Sequence, residues 1–228
     1  TPAPTPAPTP APTSVACFNE AHLQPSSPAI YKSRVTLANG SSSEFSYAKQ
    51  TLPRQSLGAY SVAPMATISA TNDVLIEFVD YVGGNRAYYG RGVTPNDKSN
   101  FDLAVFVPES PVAWPLDMPV GRAITKSWIE LFEARKNDKV VGRVVFSVTE
   151  EGRYLGRERI STEMGSIDTC KITSKNIASG DGMKMFSDQT TWLAAEGEHR
   201  GRILKIENRN EAGAVESTTV VTGIITFK

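Results

Sequence analysis

The run DVLIEFVDYVGGNRAYYGRGV, residues 73–93, constrains the fold more than any other stretch. Two segments rich in β-branched and aromatic residues flank Gly83-Gly84-Asn85, residue types that supply the positive φ of a tight turn. Such a unit is a β-hairpin. The same period-two alternation recurs along the chain. In YKSRVTL, Tyr31, Val35 and Leu37 share one face, with Lys32, Arg34 and Thr36 on the other. VVGRVVFSVTEEGRYLGRERIST, residues 140–162, reads as a second hairpin turning at Glu150-Glu151-Gly152, with Val144, Phe146 and Val148 on one face. RILKIENRNEAGAVESTTVVTGIITFK, residues 202–228, reads as a third, turning near Asn210 to Gly213. Its last strand places Val221, Ile225 and Phe227 together. KSWIELFEARKND, residues 126–138, has the best helical composition, yet it also alternates, and turn residues Asn137-Asp138 follow; it is read as a strand.

Repeated strand-turn-strand units predict an all-β fold with little helix: an antiparallel meander forming a curved sheet, half-barrel or barrel. The expected organisation is a Pro/Thr/Ala-rich tether over residues 1–16 and one β domain over 17–228. TPAPTPAPTPAPT repeats a four-residue unit three times, and its composition favours an extended polyproline-like spacer. Tethers of this kind separate a lipid anchor from a folded domain. SVAC at 14–17 lacks the apolar stretch that should precede a lipidation cysteine, so any anchor is expected upstream of Thr1. No signal peptide is visible in the chain as it begins.

Lys+Arg and Asp+Glu both number 24, so no charge excess points to nucleic acid or to an anionic membrane surface. Two histidines and two cysteines leave little material for a metal site, and no cofactor is expected.

Three consecutive stretches carry a resemblance. WPLDMPVGRAITKSW (114–128), ERISTEMGSIDTCKIT (158–173) and TTWLAAEGEHRGRILKIE (190–207) resemble, in order, the Pro-Leu…Gly-Lys-x-Trp, strand–glycine–strand and Trp–loop–strand pieces of Gram-negative periplasmic and lipoprotein domains of unknown function. Met164 and Glu163 depart from that pattern, and Glu196 to Arg200 is more charged than it. The resemblance implies a curved, half-barrel-like antiparallel sheet. It implies an exported protein, periplasmic or anchored to the outer membrane, with membrane contact only through a lipid anchor. It implies turn roles for Gly121, Gly165, Gly197 and Gly201 and brings no catalytic residues with it. Exactly two cysteines in an exported domain most simply form one disulfide, here Cys17 with Cys170, the alternative being two free thiols.

Chemistry is sparsely marked. His199 with Asp188 and Ser187 has the residue types of a triad, but no GxSxG elbow occurs, and a polar loop tip is the plainer reading. His22 reads as an incidental surface residue. DGMKMFSDQ lacks calcium-loop ligands, GNRAYYGRG lacks phosphate-loop spacing, and no carboxylate pair is marked for glycoside hydrolysis. Phe78, Phe106, Trp114, Trp128, Phe132, Phe146 and Trp192 are the candidates for an apolar pocket on the concave face. The function expected is non-catalytic: an envelope module binding a lipid or hydrophobic small molecule. The second expectation is a structural adaptor for an envelope protein partner, and the third is a hydrolase using His199.

Overall fold

In the computed structural model, which describes residues 13–227, two short 3-10 turns, Ser14–Cys17 and Glu20–Leu23, precede an all-strand body. Its strands are β1 (Ala29–Leu37), β2 (Ser42–Thr51), β3 (Gln55–Leu57), β4 (Tyr60–Ile68), β5 (Val74–Val82), β6 (Asn85–Thr94) and β7 (Leu103–Pro108). They continue as β8 (Val112–Pro115), β9 (Ala123–Lys136), β10 (Lys139–Thr162), β11 (Gly165–Gly180), β12 (Met183–Ala194), β13 (Ile203–Arg209) and β14 (Val215–Thr226). All pairings are antiparallel, and the sheet runs β2-β1-β14-β13-β12-β11-β10-β9-β7-β6-β5-β4-β3. Pairing of β2 with β4, from Ala48↔Ile68 to Thr51↔Met65, joins the ends. The result is a closed barrel of twelve strands, with β3 attached to β4 and β8 to β6 off the ring.

Side-chain alternation sorts each strand into an inner and an outer face. On β9, Trp128, Glu130 and Phe132 point inward, and their partners Val148, Phe146 and Val144 on β10 do the same. Six register shifts interrupt the ladders, among them Tyr89 in β6, Leu155 in β10 and Thr222 in β14, each an extra residue against its partner strand.

The bulge at Thr222 corrects one expectation. Val221 is buried, but Ile225 and Phe227 do not share its face and are exposed. A second correction concerns β10. Glu150-Glu151-Gly152 is no turn: the strand runs through it for 24 residues, and the reversals lie at Asn137-Asp138 and Glu163-Met164. Gly152 serves a different purpose. A Cβ there would come within 2.9 Å of the Trp114 ring, so the glycine lets an indole from β8 lie against β10. The other expected hairpins turn at Gly83-Gly84 and over Asn210–Ala214, and 126–136 is strand throughout. Gly121, Gly165, Gly197 and Gly201 all have positive φ.

The two mouths of the barrel differ. The turns after β1, β4, β6, β9, β11 and β13 lie together at one end, by the antiparallel order of the ring. The opposite mouth is stoppered by the N-terminal segment. Leu23 packs on Ala63 and Val79 of the inner face, and Phe18 meets Tyr81 edge-on at 6.4 Å. Ser14, fully buried, donates from its hydroxyl to the Leu116 carbonyl and accepts from the Met118 amide, both at 2.8 Å. Thr13 forms a bridge with Pro119. Thr13 and Ser14, within the expected tether, pack against the barrel; residues 1–12 lie outside the described residues.

Cys17 and Cys170 form a disulfide across 153 residues, buried with Met118, Tyr154 and Ala195. The bridge ties the plug to the inner face of β11. Cys17 is therefore no lipidation site. His22, expected at the surface, is instead part of the plug: the space beside Gly201 is filled by His22 and Asn19.

Replacing both cysteines by serine should lower stability by about 2–4 kcal/mol, read from denaturant unfolding. Gly180→Ala should destabilise by more than about 2 kcal/mol, since its Cβ would collide with the Val145 carbonyl oxygen of the neighbouring strand. Gly182→Ala, with open space around it, should cost only ~1 kcal/mol and serves as the control.

Candidate functional site

Twelve strands make a barrel wider than the eight-stranded size that side chains alone fill, and narrower than a porin. What lines this lumen decides what it holds. Phe106 and Phe132 meet at 4.9 Å, and Trp128, Phe132 and Val144 pack on Phe146, Val148 and Ala178. This is an aromatic floor on β7, β9, β10 and β11. Trp114 joins the inner face nearer the plug, against Gly152.

The rest of the inner wall is polar. Lys49 of β2, Glu77 of β5, Arg86 and Arg91 of β6, Glu130 of β9 and Glu150 of β10 all project inward by register. Gln189 and Asn208 form an amide ladder, Gln189 Nε2 donating to Asn208 Oδ1 at 2.9 Å, continued by Asn208 Nδ2 to Ser217 Oγ at 2.9 Å. None of the six inward charges lies within ion-pair distance of an opposite charge among the described residues. Arg91 instead stacks its guanidinium over Phe106 at 4.3 Å. Glu130 accepts from the Tyr88 hydroxyl at 3.2 Å, and Glu150 accepts from Ser174 Oγ.

Titration directions report the same environment. Burial raises the Glu130 carboxyl, against the pull of Arg91 and of the Tyr88 hydrogen bond. Burial also raises Glu150, against the Ser174 hydrogen bond and Arg86 across the lumen. The Lys49 ammonium is pushed down, chiefly by burial, with Arg86 and Arg202 adding repulsion and Glu77 opposing. Burial pushes the Tyr47 phenol up to about 12. Ion desolvation without a paired counter-charge is expensive in a dry interior. Six such groups, five of them half-buried, fit a lumen that admits water or a polar ligand.

Five of the seven predicted pocket aromatics, Phe106, Trp114, Trp128, Phe132 and Phe146, face the lumen. The other two do not, and this corrects the expectation. Phe78 lies on the outer face with Val62, Ala87 and Tyr89, beneath the β3 strand. Trp192 is also outside. It packs with Ile160, Ala194 and Leu204, and the Lys171 and Lys205 ammonium groups lie 5.0 and 4.2 Å from its ring. The curled end of the β10–β11 hairpin covers it, and Glu163 at the tip reaches Arg34 at 2.7 Å. The inward charges were not singled out in the sequence, although each alternates with outward residues on a strand whose register was readable.

The triad types do not assemble. Ser187 faces the lumen and Asp188 the outside, while His199 stands in the loop beyond Ala194. Six strand residues separate Asp188 from that end, about 20 Å. Among the described residues no group of three His, Cys, Asp or Glu gathers as a metal site would require. Two shallow clefts, about 320 and 340 Å³, lie at the plug surface around Phe18 and at the hairpin tip around Glu163; neither opens on the lumen residues.

The outer wall carries charge ladders: Arg143, Glu151 and Arg153 on β10, Lys171 and Lys175 on β11, and Lys205, Glu207 and Arg209 on β13. An Arg or Lys facing lipid costs about 2–4 kcal/mol at mid-bilayer. This wall is a water-facing surface.

No family profile and no curated protein matches the chain. Solved structures do. A protein from Bacteroides fragilis predicted to be exported, with a YmcC-like fold, is similar over 87% of this chain and 95% of its own, with a TM-score of 0.50 and 14% identity. A predicted lipoprotein from Parabacteroides distasonis (TM-score 0.46, 11% identity, 93% and 99% covered) and the hypothetical lipoprotein YmcC of Escherichia coli K12 (0.39, 8%, 88% and 87%) also match. At such identities the likeness speaks to fold: the chain has the YmcC-like fold of the Bacteroides protein.

The raised Glu150 carboxyl makes a pH prediction. Its folded-state pKa lies above the unfolded value, so its contribution to stability is full below about 4.5 and is lost as pH rises through the folded value. Glu150→Gln should therefore gain stability relative to the parent as pH goes from 4 to 7. Denaturation at several pH values checks this; a constant difference would contradict it.

Proposed function

We propose that this protein is a non-catalytic cell-envelope module that holds an amphipathic ligand in the lumen of its barrel. The observation that carries this reading is the lining: six inward charges without ion-pair partners beside a floor of Phe106, Trp128, Phe132 and Phe146. A wholly apolar occupant would strip water from those charges, and a small ion would leave the aromatic floor bare. A molecule with an apolar part and a polar head matches both. The envelope location is supported by the Pro-rich head, the buried disulfide and the fold shared with a protein predicted to be exported.

The adaptor reading has one observation in its favour. Val107, Ile129 and Val145 lie close together on the outer faces of β7, β9 and β10 and are 45%, 42% and 52% exposed.

Native mass spectrometry on protein purified without detergent from a Gram-negative envelope separates the two. The expected result is an adduct that organic extraction removes and an added single-chain amphiphile restores. Bare chain mass with no uptake of such an amphiphile would remove the lumen reading.

A further inference from the structure

The inner wall directly below the plug carries more cations than carboxylates. Lys49 lies two residues along the same face from Thr51, whose hydroxyl donates to the His22 carbonyl at 2.6 Å, so it sits under the stopper. Its ammonium lies 5.7 Å from the Tyr31 ring and 5.5 Å from the Tyr47 ring, themselves stacked at 5.1 Å. Arg202 reaches the same place from the loop before β13, donating to the Tyr31 hydroxyl at 3.0 Å. Arg86 projects from β6. Glu77 is the carboxylate on this part of the wall, and among the described residues it is not within ion-pair distance of any of the three cations.

Lys49 is half-buried, and no hydrogen bond satisfies its ammonium among the described residues. Arg86 likewise spends none of its five guanidinium donors there, and Arg202 spends one. Three cations against unpaired Glu77 leave an excess of positive charge, and a bound anion would offset it. The depressed lysine agrees: burial first, with Arg86 and Arg202 adding to it and Glu77 opposing, disfavours its charge. The guanidinium groups suit the planar or tetrahedral oxygens of a carboxylate or phosphate.

We infer that Lys49, Arg86 and Arg202 form an oxyanion site under the plug, which takes the phosphate or carboxylate head of the ligand. This rests on the lumen reading above for the ligand's apolar part, but the anion site is testable by itself. The aromatic floor lies further from the plug, on the part of the ring across from β2, so a headgroup at Lys49 leaves an attached chain free to cross the lumen towards it.

Isothermal titration with inorganic phosphate, dodecyl phosphate, laurate and the neutral dodecyl glucoside tests it on the full chain. The parent is compared with Lys49→Met and Arg86→Met, and with Lys32→Met on the outer face as control. The two inner variants keep the volume of the side chain and remove an inward charge, and their melting curves report folding. The expected result is at least tenfold weaker binding of the anionic probes in both inner variants, none in the control, and no tight binding of the glucoside. Phosphate binding that depends on Lys49, with no uptake of either chain-bearing anion, upholds the anion site and removes the amphipathic reading. Chain-bearing probes that bind equally well with and without Lys49, or a glucoside that binds as tightly as dodecyl phosphate, overturn the anion site and leave the lumen reading standing. No binding of any anionic probe overturns the site outright.

Discussion

Everything in this molecule depends on the pairing of β2 with β4. Four residue pairs, Ala48↔Ile68 to Thr51↔Met65, turn an open meander into a ring. Closure removes the exposed sheet edges that such a long meander would otherwise present. It also turns one face of every strand into the wall of an enclosed space. The N-terminal segment closes that space at one end, and charged and amide side chains line much of the rest.

The plug and the disulfide follow from this. A segment of two short 3-10 turns has little structure to offer by itself. It is held by Ser14 bridging two backbone groups, by Leu23 and Phe18 seated on the inner wall, and by one covalent link to β11. The result is an asymmetric vessel: a stoppered end rich in Lys and Arg, a mid-zone with an aromatic floor, and a far mouth framed by short turns.

Period-two alternation made the strands readable, and glycine turns made several hairpins readable, including those at Gly83-Gly84 and Asn210 to Gly213. The misreadings share a cause. Glu150-Glu151-Gly152 looked like a turn because glycine and polar residues cluster there. In the barrel, Glu150 is an inward charge and Gly152 makes room for Trp114, partners that lie far away in sequence. Ile225 and Phe227 were placed with Val221 because alternation was assumed unbroken, and one extra residue at Thr222 reverses it. Phe78 and Trp192 were pooled with the lumen aromatics because aromatic character alone does not say which face a side chain takes. Trp192 is buried outside by lysine stems and a curled hairpin, a covering that local sequence does not announce.

The sequence by itself determined the strands, most of their turns, the absence of long helix and, through its two cysteines, the one cross-link available. These are properties of neighbouring residues and of residue count. Only the tertiary structure decided that the meander closes, which face became the interior, that residues 14–23 stopper one mouth, and that Lys49, Arg86 and Arg202 converge beneath it. Each of these depends on the number of strands in the ring and on the parity of its bulges. One extra residue exchanges the two faces of a strand beyond it, so the inside of a barrel is a property of the whole ring and not of any strand within it.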